Sequence, residues 1–196
     1  MKHALLIGVL LLAAPIARAQ KAKADASVPV LPVDPDTRAV TYTGVVEAPG
    51  ATKAQLYARG LEWMARTYQS ANDAVQLKDA EQGKLVAKGF MVVTLAAPNV
   101  GMAMLGVPQP STMLLEQTLS LYLKDGRYKY VLTDLSLKGV SSRDVTRFPL
   151  DPAAPIPGFS KKAWAATLAK VDQQVQAEIA SLDAALQAKG KDPSDF

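Results

Sequence analysis

Met113-Leu114-Leu115-Glu116-Gln117-Thr118-Leu119-Ser120-Leu121-Tyr122-Leu123, Lys124-Asp125-Gly126-Arg127 and Tyr128-Lys129-Tyr130-Val131-Leu132-Thr133-Asp134-Leu135-Ser136-Leu137 run consecutively. Two apolar alternations flank an Asp-Gly pair, the residue pair that favours a two-residue turn between antiparallel strands. That turn sets the register: Leu123 faces Tyr128, Leu121 faces Tyr130 and Leu119 faces Leu132, all on one face. Continued unbroken, the same register brings Asp134 to the apolar face near Gln117, while Leu135 and Leu137 fall in the opposite phase. A bulge near Thr133-Asp134 resolves the conflict, because one extra residue swaps the faces beyond it.

Upstream, Lys84 to Leu95 is rich in Val, Phe and Leu and predicts a strand, with Gly89 inside it suggesting a bulge or tight bend. A short strand around Ala74 to Lys78 precedes it, joined through the turn residues Asp79 to Gly83. Thr52 and Gln55 have capping-box spacing and open a helix to about Tyr68. One row of that helix carries Leu56, Gly60, Trp63 and Thr67, with Gly60 marking a close backbone approach. Before it, Val40, Tyr42, Gly44 and Val46 alternate with Thr41, Thr43, Val45 and Glu47 as a first strand.

Downstream, Ser141 to Phe159 reads as a Pro-rich connection. Trp164, Leu168, Val171, Val175, Ile179, Leu182 and Leu186 then recur at helical spacing between about Lys161 and Lys189, a helix of roughly 43 Å ended by Gly190. Its Lys and Glu residues read as a solvated face. The expected fold is α+β: an antiparallel sheet of about five strands in the order β-α-β-β-β-β-α, packed by a short helix and a long C-terminal one.

The first residues carry another signal. Lys2, the unbroken apolar run Ala4 to Ala14, and Ala17-Arg18-Ala19 before Gln20 make the three parts of a signal peptide. That run is well short of the roughly 20 residues a membrane-crossing helix needs. Cleavage after Ala19 and a periplasmic or secreted location are therefore expected, with no transmembrane segment afterwards. Domain boundaries follow: signal peptide 1–19, an extended or disordered lead-in 20–36, one domain over 37–190 and a tail 191–196.

Removing Lys2 and Arg18 with the leader lowers the net charge from +4 to +2, too little for a phosphate-tracking stripe, so nucleic acid is not an expected partner. The chain has no Cys, and its single His, His3, lies in the leader. Imidazole- or thiolate-ligated metals and His-assisted nucleophiles are thereby excluded from the mature chain. Carboxylate chemistry, a Ser–Lys pair or a hard cation on oxygens remain. No metal and no cofactor is expected.

Several strings resemble one family. Leu31-Pro32-Val33-Asp34, Thr41-Tyr42-Thr43-Gly44-Val45-Val46, Lys53 with Leu56-Tyr57 and Arg59, Leu61-Glu62-Trp63, Asp73 with Val75-Gln76, Asp79, Gly83-Lys84, Lys88-Gly89 and the Lys124-to-Tyr128 hairpin are similar to domain of unknown function 4468, with a TBP-like fold. The likeness runs from Leu31 to about Lys138. It implies a strongly curved antiparallel sheet with helices on one side, in an exported bacterial envelope protein, and it implies no activity. Two departures stand out: Ala87 where the pattern has glycine, and the unusually apolar connection from Ala96 to Ser111.

Candidate sites are few. Tyr42, Trp63, Tyr128 and Tyr130 have the character to line an apolar ligand cavity against the sheet, or simply to be core. Asp134 beside Gln117 is either a structural polar pair at a bulge or, if buried and unpaired, a site residue with a raised pKa. Met102, Met104 and Leu105 sit in an uncharged connection, suited to contacting a partner or to folding over the core. Asp34-Pro35-Asp36 lacks the rest of a calcium loop and reads as a solvated turn, and Ser141-Ser142 with Lys138 has only the residue types of a nucleophile pair. The sequence thus points to a non-enzymatic exported binding or assembly module contacting an apolar small molecule or an envelope protein. A carboxylate or Ser–Lys hydrolase and a purely structural envelope protein are the alternatives.

Overall fold

The computed structural model describes residues 31–68, 74–95, 112–140 and 145–188. The leader, most of the lead-in, the Ala96–Ser111 connection with Met102, Met104 and Leu105, Ser141-Ser142, Gly190 and the 191–196 tail lie outside the described residues.

The chain runs β1 (Tyr42–Glu47), α1 (Lys53–Thr67), β2 (Val75–Asp79), β3 (Lys84–Thr94), β4 (Thr112–Lys124), β5 (Arg127–Val140), β6 (Val145–Pro149) and α2 (Lys161–Gln187). All pairings are antiparallel in one six-stranded sheet, ordered β1-β5-β4-β3-β2, with β6 also on β5. β1 pairs with the first half of β5 and β6 with the second. The sixth strand corrects the reading of 141–159 as a plain connection. Leu137 opposite Phe148 and Lys138 opposite Arg147 show why: the alternation of β5 continues across to a partner that Pro and charge had disguised.

The hairpin forms as its sequence dictates, with Leu123, Leu121 and Leu119 opposite Tyr128, Tyr130 and Leu132. Gly126 supplies a φ of 73° at the turn, a conformation that costs glycine least. The tip is stitched to the loop before α1: Ala48 N–H donates to the Gly126 carbonyl, and Gly126 N–H donates to that of Ala51. The Asp125 carboxylate accepts from Lys53 N–H at 2.6 Å, supplementing the Thr52–Gln55 capping box at the free amides of α1. Asp125→Ala should therefore lower stability by about 1 kcal/mol, read as a fall of about 2–4 °C in the unfolding midpoint. An unchanged midpoint would mean that the box alone caps the helix.

The expected bulge is present. Thr118 faces Thr133 but Glu116 faces Ser136, so Gln117 opposes both Asp134 and Leu135, and Asp134 takes a left-handed φ of 56°. Gly89, by contrast, sits in an unbroken β3–β4 register, which corrects the expectation of a bulge or bend there. Its missing side chain makes room for Tyr68, since a Cβ on Gly89 would come 2.1 Å from the Tyr68 ring.

One face of the sheet is buried beneath both helices. Leu85, Leu119, Leu121, Leu132 and Leu137 face Leu56, Met64, Leu168, Val175 and Leu182 in one core. All seven residues of the α2 stripe are buried. Gly60 brings α1 close to the sheet: a Cβ there would touch Leu121 and Leu85 at 3.2 and 3.3 Å. Ala87 is fully buried. Leu31, assigned to the lead-in, is buried as well, and Val33 bridges Val40 across a turn in which Asp34 accepts from Thr37. Those bonds, with Asp36 N–H, hold the Asp34 carboxyl below its ordinary pKa.

Candidate functional site

Three of the four aromatic residues singled out from sequence have their polar tips satisfied by side chains of α2. Tyr42 donates to Asp172 at 2.9 Å, Trp63 to Ser181 at 3.1 Å and Tyr128 to Asp183 at 2.6 Å. Burial, then the adjoining carboxylate, pushes both phenols well above their usual pKa. Tyr130 is half-buried against Gly44, where a Cβ would lie 2.6 Å from its hydroxyl oxygen. Helix α2 occupies the face on which a cavity between sheet and helix had been considered. Trp63 also borders a groove, of about 290 Å³, between the β3 edge and α2, with Tyr68, Met91, Gln174 and Glu178.

That groove adjoins a buried polar cluster that the sequence reading missed. Glu178, read there as part of the solvated face of its helix, is 9% exposed. Its carboxylate accepts from the Tyr68 hydroxyl at 2.6 Å and from the Gln117 amide. Burial raises its pKa above the ordinary carboxylate value, while the two hydrogen bonds pull the other way. Gln117 therefore belongs with Glu178, not with Asp134. Asp134 is exposed, because the bulge turns it out of the apolar face, which corrects its placement there. The only sequence signal was a lone Gln in a run of inward leucines.

The other face of the sheet carries no helix among the described residues. Its cross-strand rows follow from the register. Val45, Lys129, Tyr122 and Lys84 form one row, with the Lys84 ammonium 5.3 Å above the Tyr122 ring centre. Thr43, Val131, Ser120, Val86 and Leu77 form the next, and Thr133, Thr118 and Lys88 the third. Val45 is 62% exposed, Val92 55%, Phe90 51% and Tyr122 40%. Cationic side chains outnumber acidic ones on this face: Lys84, Lys88, Lys124, Arg127, Lys129, Lys138 and Arg147 against Glu47, Asp79, Glu116 and Asp134.

A groove of about 400 Å³ crosses this open face at the bulge. Its walls are Lys88 and Phe90 of β3 and Asp134 and Ser136 of β5, with Thr118 and Glu116 of β4 as its floor and Arg147 at one end. Glu116 is already engaged, accepting from Arg147 at 2.6 Å and Lys138 at 3.0 Å, bonds that hold its pKa low, Arg147 first. Lys138, considered from sequence as a partner for Ser141-Ser142, is thus committed to Glu116. A larger groove, about 590 Å³, lies beside the loop before α1, where Arg59 donates to the Leu186 carbonyl at 2.9 Å. Among the described residues no group of three or more His, Cys, Asp or Glu could hold a metal ion, and no helix is long and apolar enough to cross a membrane.

An antiparallel six-stranded sheet covered on one face by two helices places the chain among open-sheet α+β proteins. Residues 42–138 match the family model described as Domain of unknown function (DUF4468) with TBP-like fold, and over that span the chain belongs to that family. A crystal structure of a DUF4468 family protein from Bacteroides ovatus is similar at 14% identity, with a TM-score of 0.50 over 78% of this chain and 90% of that one. A TBP-like protein from Parabacteroides distasonis is similar at 13% identity, with a TM-score of 0.49 over 74% and 94% of the two chains. Comparison with curated proteins gives no match. At 14% identity the likeness to the Bacteroides ovatus structure speaks for the fold alone.

Proposed function

We propose that the protein is an exported, non-enzymatic binding or assembly module that docks an envelope protein on its open sheet face. The observation that carries this reading is the exposure of Val45 and Tyr122 in one cross-strand row with Lys129 and Lys84, and of Val92 further along β3, on a face that carries no helix among the described residues. Exposed apolar side chains that share one sheet face, Val45 and Tyr122 in a single row, favour a contact surface over plain solvation. Their mixture with cations fits the apolar centre and charged rim of a protein interface better than the dry enclosure of a small apolar ligand.

The non-enzymatic part rests on chemistry. Beyond residue 19 there is no His and no Cys. The two described glutamates with shifted pKa values, Glu116 and Glu178, sit on opposite faces of the sheet and so do not form a facing acid–base pair. The export signal in residues 1–19 supplies the compartment.

The test is partner recovery by cross-linking of tagged protein in its native envelope. Val45→Ser, Val92→Ser and Tyr122→Ser together should lower recovery on the order of tenfold or more, the loss typical of removing central apolar anchors. All three sites are exposed, so the unfolding midpoint should stay close to that of the parent. Full recovery of the same partner by a folded triple variant would overturn the reading.

A further inference from the structure

The groove at the bulge has a composition that the docking surface as a whole does not explain. Lys88 on one wall and Asp134 on the other make no ion pair or side-chain hydrogen bond among the described residues, although nearby Lys138 and Arg147 both pair with Glu116. Asp134 is held in its position by a left-handed backbone, φ 56°, an arrangement that non-glycine residues adopt at an energetic penalty. The Thr118 hydroxyl lies on the strand between the two charges, the Ser136 hydroxyl stands beside Asp134 on its wall, and half-exposed Phe90 forms part of the rim.

We infer that this groove takes a short zwitterionic peptide, its ammonium on Asp134, its carboxylate on Lys88 and an apolar side chain against Phe90. This rests on the reading of the open face as a binding surface and names a small ligand class for one part of it. The chemistry selects against simpler ligands. An anion suited to Lys88 is repelled by Asp134, a cation suited to Asp134 is repelled by Lys88, and a neutral sugar uses neither charge. A molecule with opposite charges at its two ends satisfies both walls.

The span fits. Lys88 lies one strand to one side of Thr118, and the bulge one strand to the other, so the two walls stand roughly 10 Å apart at the usual spacing of neighbouring strands. An extended chain advances about 3.3–3.6 Å per residue, which makes an extended peptide of about three residues the matching length. In the Glu116–Lys138–Arg147 network the one carboxylate is held by two cations, so Glu116 does not compete with Asp134 for the peptide's ammonium, and the one net positive charge left over adds to the pull on its carboxylate.

Calorimetric titration of the protein with L-alanyl-L-leucyl-L-alanine tests the assignment. The free tripeptide should bind with a Kd near or below about 1 mM. N-acetylation of the peptide and Asp134→Asn should each weaken binding on the order of tenfold, and together little more than either alone, because both remove the same contact. C-terminal amidation and Lys88→Met should form a second such pair. No binding by folded wild-type protein, or binding that neither variant weakens, would overturn the peptide site. The Val45, Val92 and Tyr122 triple variant should keep its tripeptide affinity. If it loses the envelope partner while wild type fails to bind peptide, the peptide inference alone falls. If partner recovery is intact but peptide binds as described, the docking face alone falls.

Discussion

Gly89→Ala should destabilise the protein by about 2–3 kcal/mol, a large effect for one added methyl group on a strand. The backbone gives no reason for it: Gly89 is not among the glycines with positive φ, and its register with Gln117 is regular. By intrinsic preference alone, alanine would be favoured there by about 0.5–1 kcal/mol. The opposing effect is steric. The added Cβ would sit 2.1 Å from one ring carbon of Tyr68 and 2.4 Å from the next, so the ring has to move. Tyr68 has little freedom to do so, being 5% exposed, packed edge-on against Trp63 at 5.8 Å and bonded to Glu178. A double-mutant cycle isolates the contact. Tyr68→Ala should itself cost about 3–5 kcal/mol by cavity formation. In that background Gly89→Ala should become neutral or mildly stabilising. Denaturant unfolding of the four proteins gives the coupling directly, and a Gly89→Ala penalty of the same size in both backgrounds would show that the strand, not the ring, requires glycine.

The same residue illustrates what could be read from the chain. Local signals were sufficient where a residue's neighbour in space is also its neighbour in sequence. The Asp125-Gly126 turn set the β4–β5 register correctly, and the phase clash between Leu132 and Leu135 located a bulge that is present. The α2 stripe repeats with helical period and every member is buried. What failed depends on distant partners. Gly89 looked like a bend because Tyr68 arrives from α1. β6 was hidden because its five residues, Val-Thr-Arg-Phe-Pro, carry a charge and a proline and gain their order only by pairing with β5. Asp172, Glu178, Ser181 and Asp183 look like an exposed polar face until Tyr42, Tyr68, Trp63 and Tyr128 are seen to reach them. The open face was the least legible part of the candidate site. Lys88, Phe90, Asp134 and Ser136 come from two different strands, and only the bulge puts Asp134 and Ser136 on the same side as Lys88 and Phe90.

Glu178 should make the folded protein less stable as pH rises, and replacing it should separate its two roles. Its folded pKa is raised above the ordinary 4.5, chiefly by burial. Below that ordinary value both folded and unfolded chains hold the proton, and the group contributes no pH dependence. Between there and the raised folded value the unfolded chain releases its proton while the folded chain keeps it, so stability falls with rising pH and levels off above the folded pKa. Glu178→Gln mimics the neutral form. Its amide oxygen can still accept from the Tyr68 hydroxyl, and its NH₂ can donate to the Gln117 Oε1, a buried acceptor without a partner among the described residues, once the Gln117 amide turns over. The stability difference between Glu178→Gln and wild type should therefore grow in favour of the variant from pH 4 to 7. Glu178→Ala removes the charge and also both acceptors, leaving the Tyr68 hydroxyl and the Gln117 amide buried without partners, and should cost about 2–4 kcal/mol near pH 4, where the charge penalty is absent. Urea titrations of the three proteins across this range decide the matter. Parallel stability curves for wild type and Glu178→Gln would show that Glu178 ionises in the fold as easily as in water, and the buried cluster would then have to open to solvent.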